Sequence, residues 1–341
     1  MKKLLLATAI AALSVSAANA APTVYGKAFV TMDYVNADDG TKDTDSVQIN
    51  SNSSRIGFKG SEAMTANTDV IYQLEYGIDI DADDSKTFAS RDTYLGLDNK
   101  NFGQFRFGRN QSTTDYVNNV LVSDAYFDNL GDFMADSGRV DNSVVWLAPK
   151  YNGLPLQIAA MYAADEKAVE DSSDRDNGFG VSAMFDQGTG FTAGLSYDKD
   201  VNIVGDIMRG TATVDLGKYM AAPVTLGALY QVADYDATTE DEKGMMVSAQ
   251  MGLANFAKPA TVYAQYTNTS DKDGVKDVDA DQIVVGGKYF YQPNMIVHAY
   301  AGMNSIDNVV NVKPGVIANT SVRGNGETEA FVVGGGLEYK F

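Results

Sequence analysis

Few residues in this chain could carry covalent or acid–base chemistry. His298 is the only histidine, and there is no cysteine, so a metal–thiolate centre is excluded and a nucleophilic relay has one available imidazole. His298 sits in MIVHAYAGM, alternating with Ile296 and Tyr300, a pattern that places it on a strand wall or facing a lumen. No serine stands at a spacing that pairs it with this histidine and an orienting group. The acid runs Asp79, Asp81, Asp83 and Asp277, Asp279, Asp281 lack the glycine and terminal glutamate of a calcium-binding EF-hand loop and read as solvated loops. No metal site, cofactor or catalytic residue follows, and the chain reads as a non-enzyme. The remaining chemistry is fixed charge: Arg55 and Lys59 share the face opposite Ile56 and Phe58, and Lys27 shares a polar face with Tyr25, Thr31 and Asp33.

The elements that must position these charges are strands. DVIYQLEYGIDI sets Val70, Tyr72, Leu74, Tyr76, Ile78 and Ile80 against Gln73, Glu75, Gly77 and Asp79, the period-two alternation of a sheet with two unlike faces. TVYGKAFVTMDYV repeats it, broken only by Phe29, and an acidic loop, NADDGTKDTD, follows. Tyr94–Asp98 and Gln104–Arg109 form a hairpin across Asp98, Asn99 and Gly103. Ten further alternating stretches run to the terminal EAFVVGGGLEYKF, giving about sixteen strands, a number suited to a transmembrane barrel. Connections alternate between short ones, such as Asn152-Gly153 and Gly188-Thr189, and long acidic ones. No forty-residue period of a β-propeller is present.

One connection is too long to be routine. Gln111 to Ser137 carries Tyr116, Val117, Val120, Leu121, Val122, Tyr126, Phe127, Leu130 and Phe133, enough apolar surface to fold against something. The expected fold is therefore all-β, an antiparallel transmembrane barrel with this long loop folded into its lumen; the competing arrangement is a helical excursion packed on a soluble sheet.

Residues 1–20 have the form of a cleaved signal peptide: Lys2 and Lys3, an apolar stretch from Leu4 to Val15, and the small-residue site Ala18-Asn19-Ala20. The barrel domain then spans residues 21–341. Removing Lys2 and Lys3 from the 26 basic residues leaves 24 against 45 acidic, a net charge of −21. Nucleic acid is excluded as a partner, because phosphate binding requires a basic surface.

Four stretches, VYGK near the mature start, SSRIGFKGSE, the hairpin ending in FGRN, and Phe341 after Leu337 and Tyr339, make the chain resemble the general diffusion porins of Gram-negative outer membranes. The resemblance implies a homotrimer of 16-stranded barrels in the outer membrane, each enclosing an aqueous pore narrowed by the third external loop. It assigns the arginine cluster of the pore wall to Arg55, Arg91 and Arg139, with Lys27 and Lys59 projecting from the same faces. The two loop acids of the family, four residues apart, are most similar to Asp124 and Asp128. The loop tip departs from the family's Pro-Glu-Phe-Gly-Gly, reading Phe127-Asp128-Asn129-Leu130-Gly131-Asp132, so Asp132 also fits an acid position.

Arginines on one wall and carboxylates on a facing loop set up a transverse field that screens solutes by size and charge. The expected function is passive diffusion of small hydrophilic solutes and ions with a mild cation preference. A substrate-specific channel and a surface adhesin or receptor are the alternatives. Lipids and lipopolysaccharide, the latter bridged by divalent ions to acidic loops, are the expected surroundings. Arg106 and Arg109 read as locally paired, and Trp146 as a membrane-interface aromatic.

Overall fold

The computed structural model describes residues 22–38, 42–81, 88–123, 125–127, 129–136, 138–149, 154–164, 177–309 and 323–341. The expected leader at 1–20 and the loop acids Asp124 and Asp128 lie outside these residues. Every long element is a strand: β1 (Thr23–Asp38), β2 (Asp43–Ser51), β3 (Arg55–Ala63), β4 (Thr68–Ile78), β5 (Phe88–Asn99), β6 (Gly103–Gln111), β7 (Arg139–Leu147), β8 (Leu156–Ala163) and β9 (Gly178–Asp186), then β10 (Phe191–Lys199), β11 (Gly205–Asp215), β12 (Val224–Tyr235), β13 (Glu242–Leu253), β14 (Ala260–Ser270), β15 (Ala280–Gln292), β16 (Met295–Val309) and β17 (Arg323–Lys340).

Successive strands pair antiparallel, except β2 with β3, and β17 returns to pair with β1, closing the sheet on itself. Closure leaves no unpaired edge, which is what lets strands cross lipid. Both β2 and β3 pair with β1, at Val30–Asp38 and Thr23–Lys27 respectively, so together they fill one position of a sixteen-position wall. The break between them is a kink at Ser53, whose φ is 51°. There the Ser54 hydroxyl takes the place of a ladder partner, accepting from Phe29 N at 3.0 Å and donating to Phe29 O at 3.1 Å. The acidic stretch expected as a loop at 36–45 is mostly strand, since β1 runs to Asp38 and β2 begins at Asp43. Its outward positions carry Asp where lipid contact has ended, so alternation of hydropathy fails although the backbone ladder continues.

The outer face is apolar in its middle band. Leu74, Leu95, Phe107, Leu195, Met208, Tyr230 and Val285 all point outward and are exposed, a surface that water would not tolerate at this size. No helix among the described residues is long and apolar enough to cross a membrane; the strands do so. Near the long-loop end the same brace recurs three times: an outward tyrosine and the residue two places on both reach one aspartate of the next strand. The sets are Tyr34 and Asn36 on Asp45, Tyr197 and Lys199 on Asp206, and Tyr266 and Asn268 on Asp281. Each combines an aromatic body with a wet polar tip, as a residue at a lipid boundary must.

The register makes a direct test. Leu74→Arg puts a charge on the lipid face of β4 and should lower folding stability in vesicles by about 2–4 kcal/mol. Gln73→Arg beside it faces the lumen and should be tolerated. Equal losses for the two in vesicle folding titrations would overturn the assignment of faces.

The seam depends on the last residue. Phe341 N donates to Gly26 O at 3.1 Å, and Gly26 N to Phe341 O at 2.9 Å. The Phe341 ring lies where a side chain at position 26 would be, so only glycine fits there.

Candidate functional site

The long connection after β6 does fold into the lumen. It begins with a 3₁₀ turn, Thr113–Val117, passes a second at Leu130–Asp132, and returns at Gly138, where Ser112 N meets Gly138 O at 3.0 Å. Its apolar residues are the ones that bury. Val120, Leu130 and Met134 pack with Leu229 and Met246; Phe133 packs with Val278, Ala280 and Ile306. Ala125 and Phe127 pack with Val35, Tyr263, Val284, Tyr300 and Val332. Phe29, which breaks the alternation of β1, belongs to this last cluster: an apolar residue faces the lumen there because the loop covers it. The Phe127 ring also lies against Gly302, where any Cβ would collide with it.

Wall side chains then bind the loop backbone along its length, which satisfies amides and carbonyls that packing has taken out of water. Thr113 and Thr114 hydroxyls donate to the buried Asp198 of β10. Ser248 Oγ donates to Val120 O at 2.7 Å, Lys288 Nζ to Val122 O, and Gln282 Nε2 to Phe127 O. On the returning arm Ala135 N donates to Glu242 Oε1 at 2.6 Å. Arg209, wholly buried, donates to Gln231 Oε1 at 2.8 Å, Ala135 O at 3.3 Å and Asp136 Oδ1 at 2.9 Å.

What the loop leaves open is a passage of about 500 Å³ lined by Lys27, Arg55, Arg91, Arg139, Lys288 and Lys340 from the wall and by Asp115, Asn118, Leu121, Ser123 and Asp136 from the loop. The arginines stand on carboxylates of their own wall. Arg91 Nε meets Glu75 Oε1 at 2.6 Å, Arg55 Nε lies 3.8 Å from Glu75 Oε2, and Tyr25 donates to the same carboxylate at 2.9 Å. Arg139 Nε meets Asp92 Oδ1 at 2.7 Å. Glu338 holds both Lys340, at 2.8 Å, and His298, at 3.0 Å, and the His298 ring lies tilted against Phe29 with centroids 4.5 Å apart.

Four of the expected wall cations, Lys27, Arg55, Arg91 and Arg139, thus share one passage. Lys59 does not: it is exposed, nearer the short-turn end, with its ammonium 5.0 Å from the Tyr25 ring. Asp132 lies on another face of the loop, beside a cavity of about 610 Å³ shared with Asn202, Tyr235 and Asp273, and burial pushes its carboxyl up to about 6. Arg106 and Arg109 are held locally, Arg106 by Gln104 Oε1 at 2.5 Å and Arg109 by Asp141 at 2.7 Å. Sequence reasoning missed Lys288, Lys340, Glu338, Asp115 and Asp136. Lys288 and Lys340 could have been found by parity, since each continues the lumen-facing positions of its strand.

The comparisons with known proteins agree with this geometry. A family profile described as Gram-negative porin matches residues 7–309. Outer membrane protein S2 of Salmonella typhi is 25% identical over 382 residues, covering 90% of this chain and 94% of its own. An anion-selective porin from Comamonas acidovorans superposes with a TM-score of 0.75 at 19% identity, covering 94% of this chain and 100% of that one. The trimer form of in-vitro folded OmpT of Vibrio cholerae superposes at 0.60 and 18% identity, covering 94% and 99%. With a closed barrel, an infolded third loop and a profile match over most of its length, the chain belongs to the Gram-negative porin family of the outer membrane.

Proposed function

We propose that residues 21–341, freed of a leader at 1–20, form a water-filled channel for passive diffusion of small hydrophilic solutes and ions, assembled as a homotrimer among outer-membrane lipids and lipopolysaccharide. The observation that carries the reading is the passage itself, open between a charged wall and a loop pinned to the opposite wall. Two classes of solute filter follow from it, size at the narrowing and charge across it.

The charge filter is weak because it is nearly balanced. Among the described residues, six cations line the passage, against Asp115, Asp136 and Glu338 in the lining and Glu75 and Asp92 bound to its arginines. Asp124 and Asp128 would add to the acid side. The chain's acid surplus lies mainly towards the long loops, for example at Asp271, Asp273, Asp277 and Asp279, and draws cations to that mouth. Mild cation preference is the net result.

The test is the reversal potential in a salt gradient, read with uptake of sugars of graded size. Neutralising Arg55, Arg91 and Arg139 should strengthen cation preference and admit bulkier neutral solutes. Asp124→Asn with Asp128→Asn should weaken it with little change in assembly. Both shifts should shrink at 1 M salt, where the Debye length is about 3 Å. If the acid pair is silent and Asp132→Asn shifts the potential, the acid position belongs to Asp132. If no wall arginine and no loop acid matters, the third loop is not the filter.

A further inference from the structure

The two rims of the barrel differ in charge, and the short-turn rim has a composition of its own. None of its connecting segments, 64–67, 100–102, 148–155, 187–190, 216–223, 254–259 and 293–294, contains an aspartate or glutamate. In a chain with 45 acidic and 26 basic residues that is a local reversal. Among the described residues, three of these turns instead pair an exposed lysine with an exposed aromatic residue one or two positions away: Lys100 with Phe102, Lys218 with Tyr219, and Lys258 with Phe256. The aromatic members are 68%, 57% and 57% exposed and recur at one level of the wall, where the interface aromatics of a membrane barrel gather.

Acids near this rim face elsewhere. Asp69 and Asp98 are register partners, on the lumen side of β4 and β5. Asp186 and Asp215 bind their own turns, accepting from Gly188 N at 2.7 Å and Gly217 N at 3.0 Å. Glu62 is the outward exception. The Lys100 ammonium donates to Ala66 O of the neighbouring turn at 2.8 Å, which holds it along the rim with protons to spare for a second acceptor.

We propose that the short-turn rim is a docking surface for the negatively charged headgroups of the phospholipids in its own leaflet. Short turns of outer-membrane barrels face the periplasm. The rings sit at the depth where acyl chains give way to headgroups, and each lysine reaches past its ring to a phosphate. Charge complementarity selects the occupant: an anionic glycerophosphate headgroup meets lysines without competing carboxylates, while a zwitterionic headgroup brings its own ammonium and gains less. The acid-rich opposite rim offers no such surface, so the pattern would also resist insertion in the inverted sense.

Trp146, the only tryptophan, provides a built-in reporter, since its indole N–H donates to Phe102 O at 2.7 Å and so marks the Lys100 turn. The full-length mature protein is reconstituted in phosphatidylcholine bilayers doped with either acyl-brominated phosphatidylglycerol or acyl-brominated phosphatidylcholine. Quenching of Trp146 should favour the glycerol lipid by about fivefold in relative affinity at low salt, the ratio one lysine near an anionic surface gives. That ratio should fall towards one in Lys100→Gln and at 1 M salt, be restored in Lys100→Arg, and be unaffected by Lys258→Gln on a distant turn. Equal quenching by both lipids at low salt overturns the proposal, as does a preference that survives Lys100→Gln. Single-channel conductance, measured alongside, should not change in any of these variants.

Discussion

Arg209→Met should lower the free energy of unfolding by about 2–3 kcal/mol, the cost of leaving buried partners of a charged donor unmatched while Asp136 stays in contact with the water of the passage. Arg209 is wholly buried, and its guanidinium joins β11 to Gln231 of β12 and to Ala135 and Asp136 on the returning arm of the third loop. Methionine fills much of the volume but removes the Arg209 ion pair with Asp136 and the Arg209 bond to Ala135 O, which keeps its bond from Gln231. The arm would then be held by Gln231 at Ala135 O, by Glu242, which accepts from Ala135 N, and by Asn202, which accepts from Gly138 N at 2.9 Å. The same variant should therefore show a noisier open-channel current, as the loop samples positions nearer the passage. The checks are denaturant titration in vesicles and single-channel recording. Arg106→Met is the control, since Arg106 is half-buried and bonded mainly to Gln104, and should cost less than about 1 kcal/mol. If both variants behave alike, Arg209 does not anchor the loop.

The second large effect concerns ions rather than stability. Glu75→Gln should move the channel towards anions by roughly five- to tenfold in permeability ratio at low salt. Glu75 compensates Arg91 and Arg55 and also accepts from Tyr25. Glutamine keeps one acceptor oxygen where the carboxylate offers one to Arg91 and the other to Tyr25, and it removes a unit charge. At about 4 Å in water a unit charge interacts with another by about 1 kcal/mol, and it acts with opposite sign on cations and anions. The reversal potential in a salt gradient should reveal the change, and raising both solutions to 1 M salt should erase most of it. An unchanged potential would mean that permeating ions do not pass beside the Arg55 and Arg91 pair.

Much of this wall is legible in sequence because lipid and water impose opposite demands on alternate residues. Val70 to Ile78 shows it cleanly, and the strand count follows from such stretches. Legibility fails where the demand changes. Val47 and Ile49 of β2 face outward, but Asp43 and Asp45 on the same face lie beyond the apolar band, so the strand looks like a loop. Arg91 is a different failure. Strict alternation from Asp92 and Tyr94, which both face the lumen, would turn Arg91 outward, yet a register shift opposite Leu74 and Tyr76 lets Arg91 and Asp92 both reach lumen partners. Likeness to a family identified that arginine; periodicity could not. The loop anchors were invisible for a third reason. Asp198, Arg209 and Glu242 are ordinary polar residues on lumen-facing parity, and only the loop's path makes them buried.

The seam between β1 and β17 has a consequence for how the molecule comes into being. Its twelve residue pairs, from Lys27 with Lys340 to Asp38 with Glu329, join the first strand of the chain to the last. No other contact in the wall spans so much sequence, and the entropy of closing so long a loop is met only when the final strand arrives. Until then β1 keeps an open edge able to pair with any other strand. The barrel therefore cannot close until its last strand is present, and until then its open edges must be kept from the strands of other chains. Once shut, its lifetime is set by the barrier to reopening that seam, so its durability is a matter of rate more than of equilibrium.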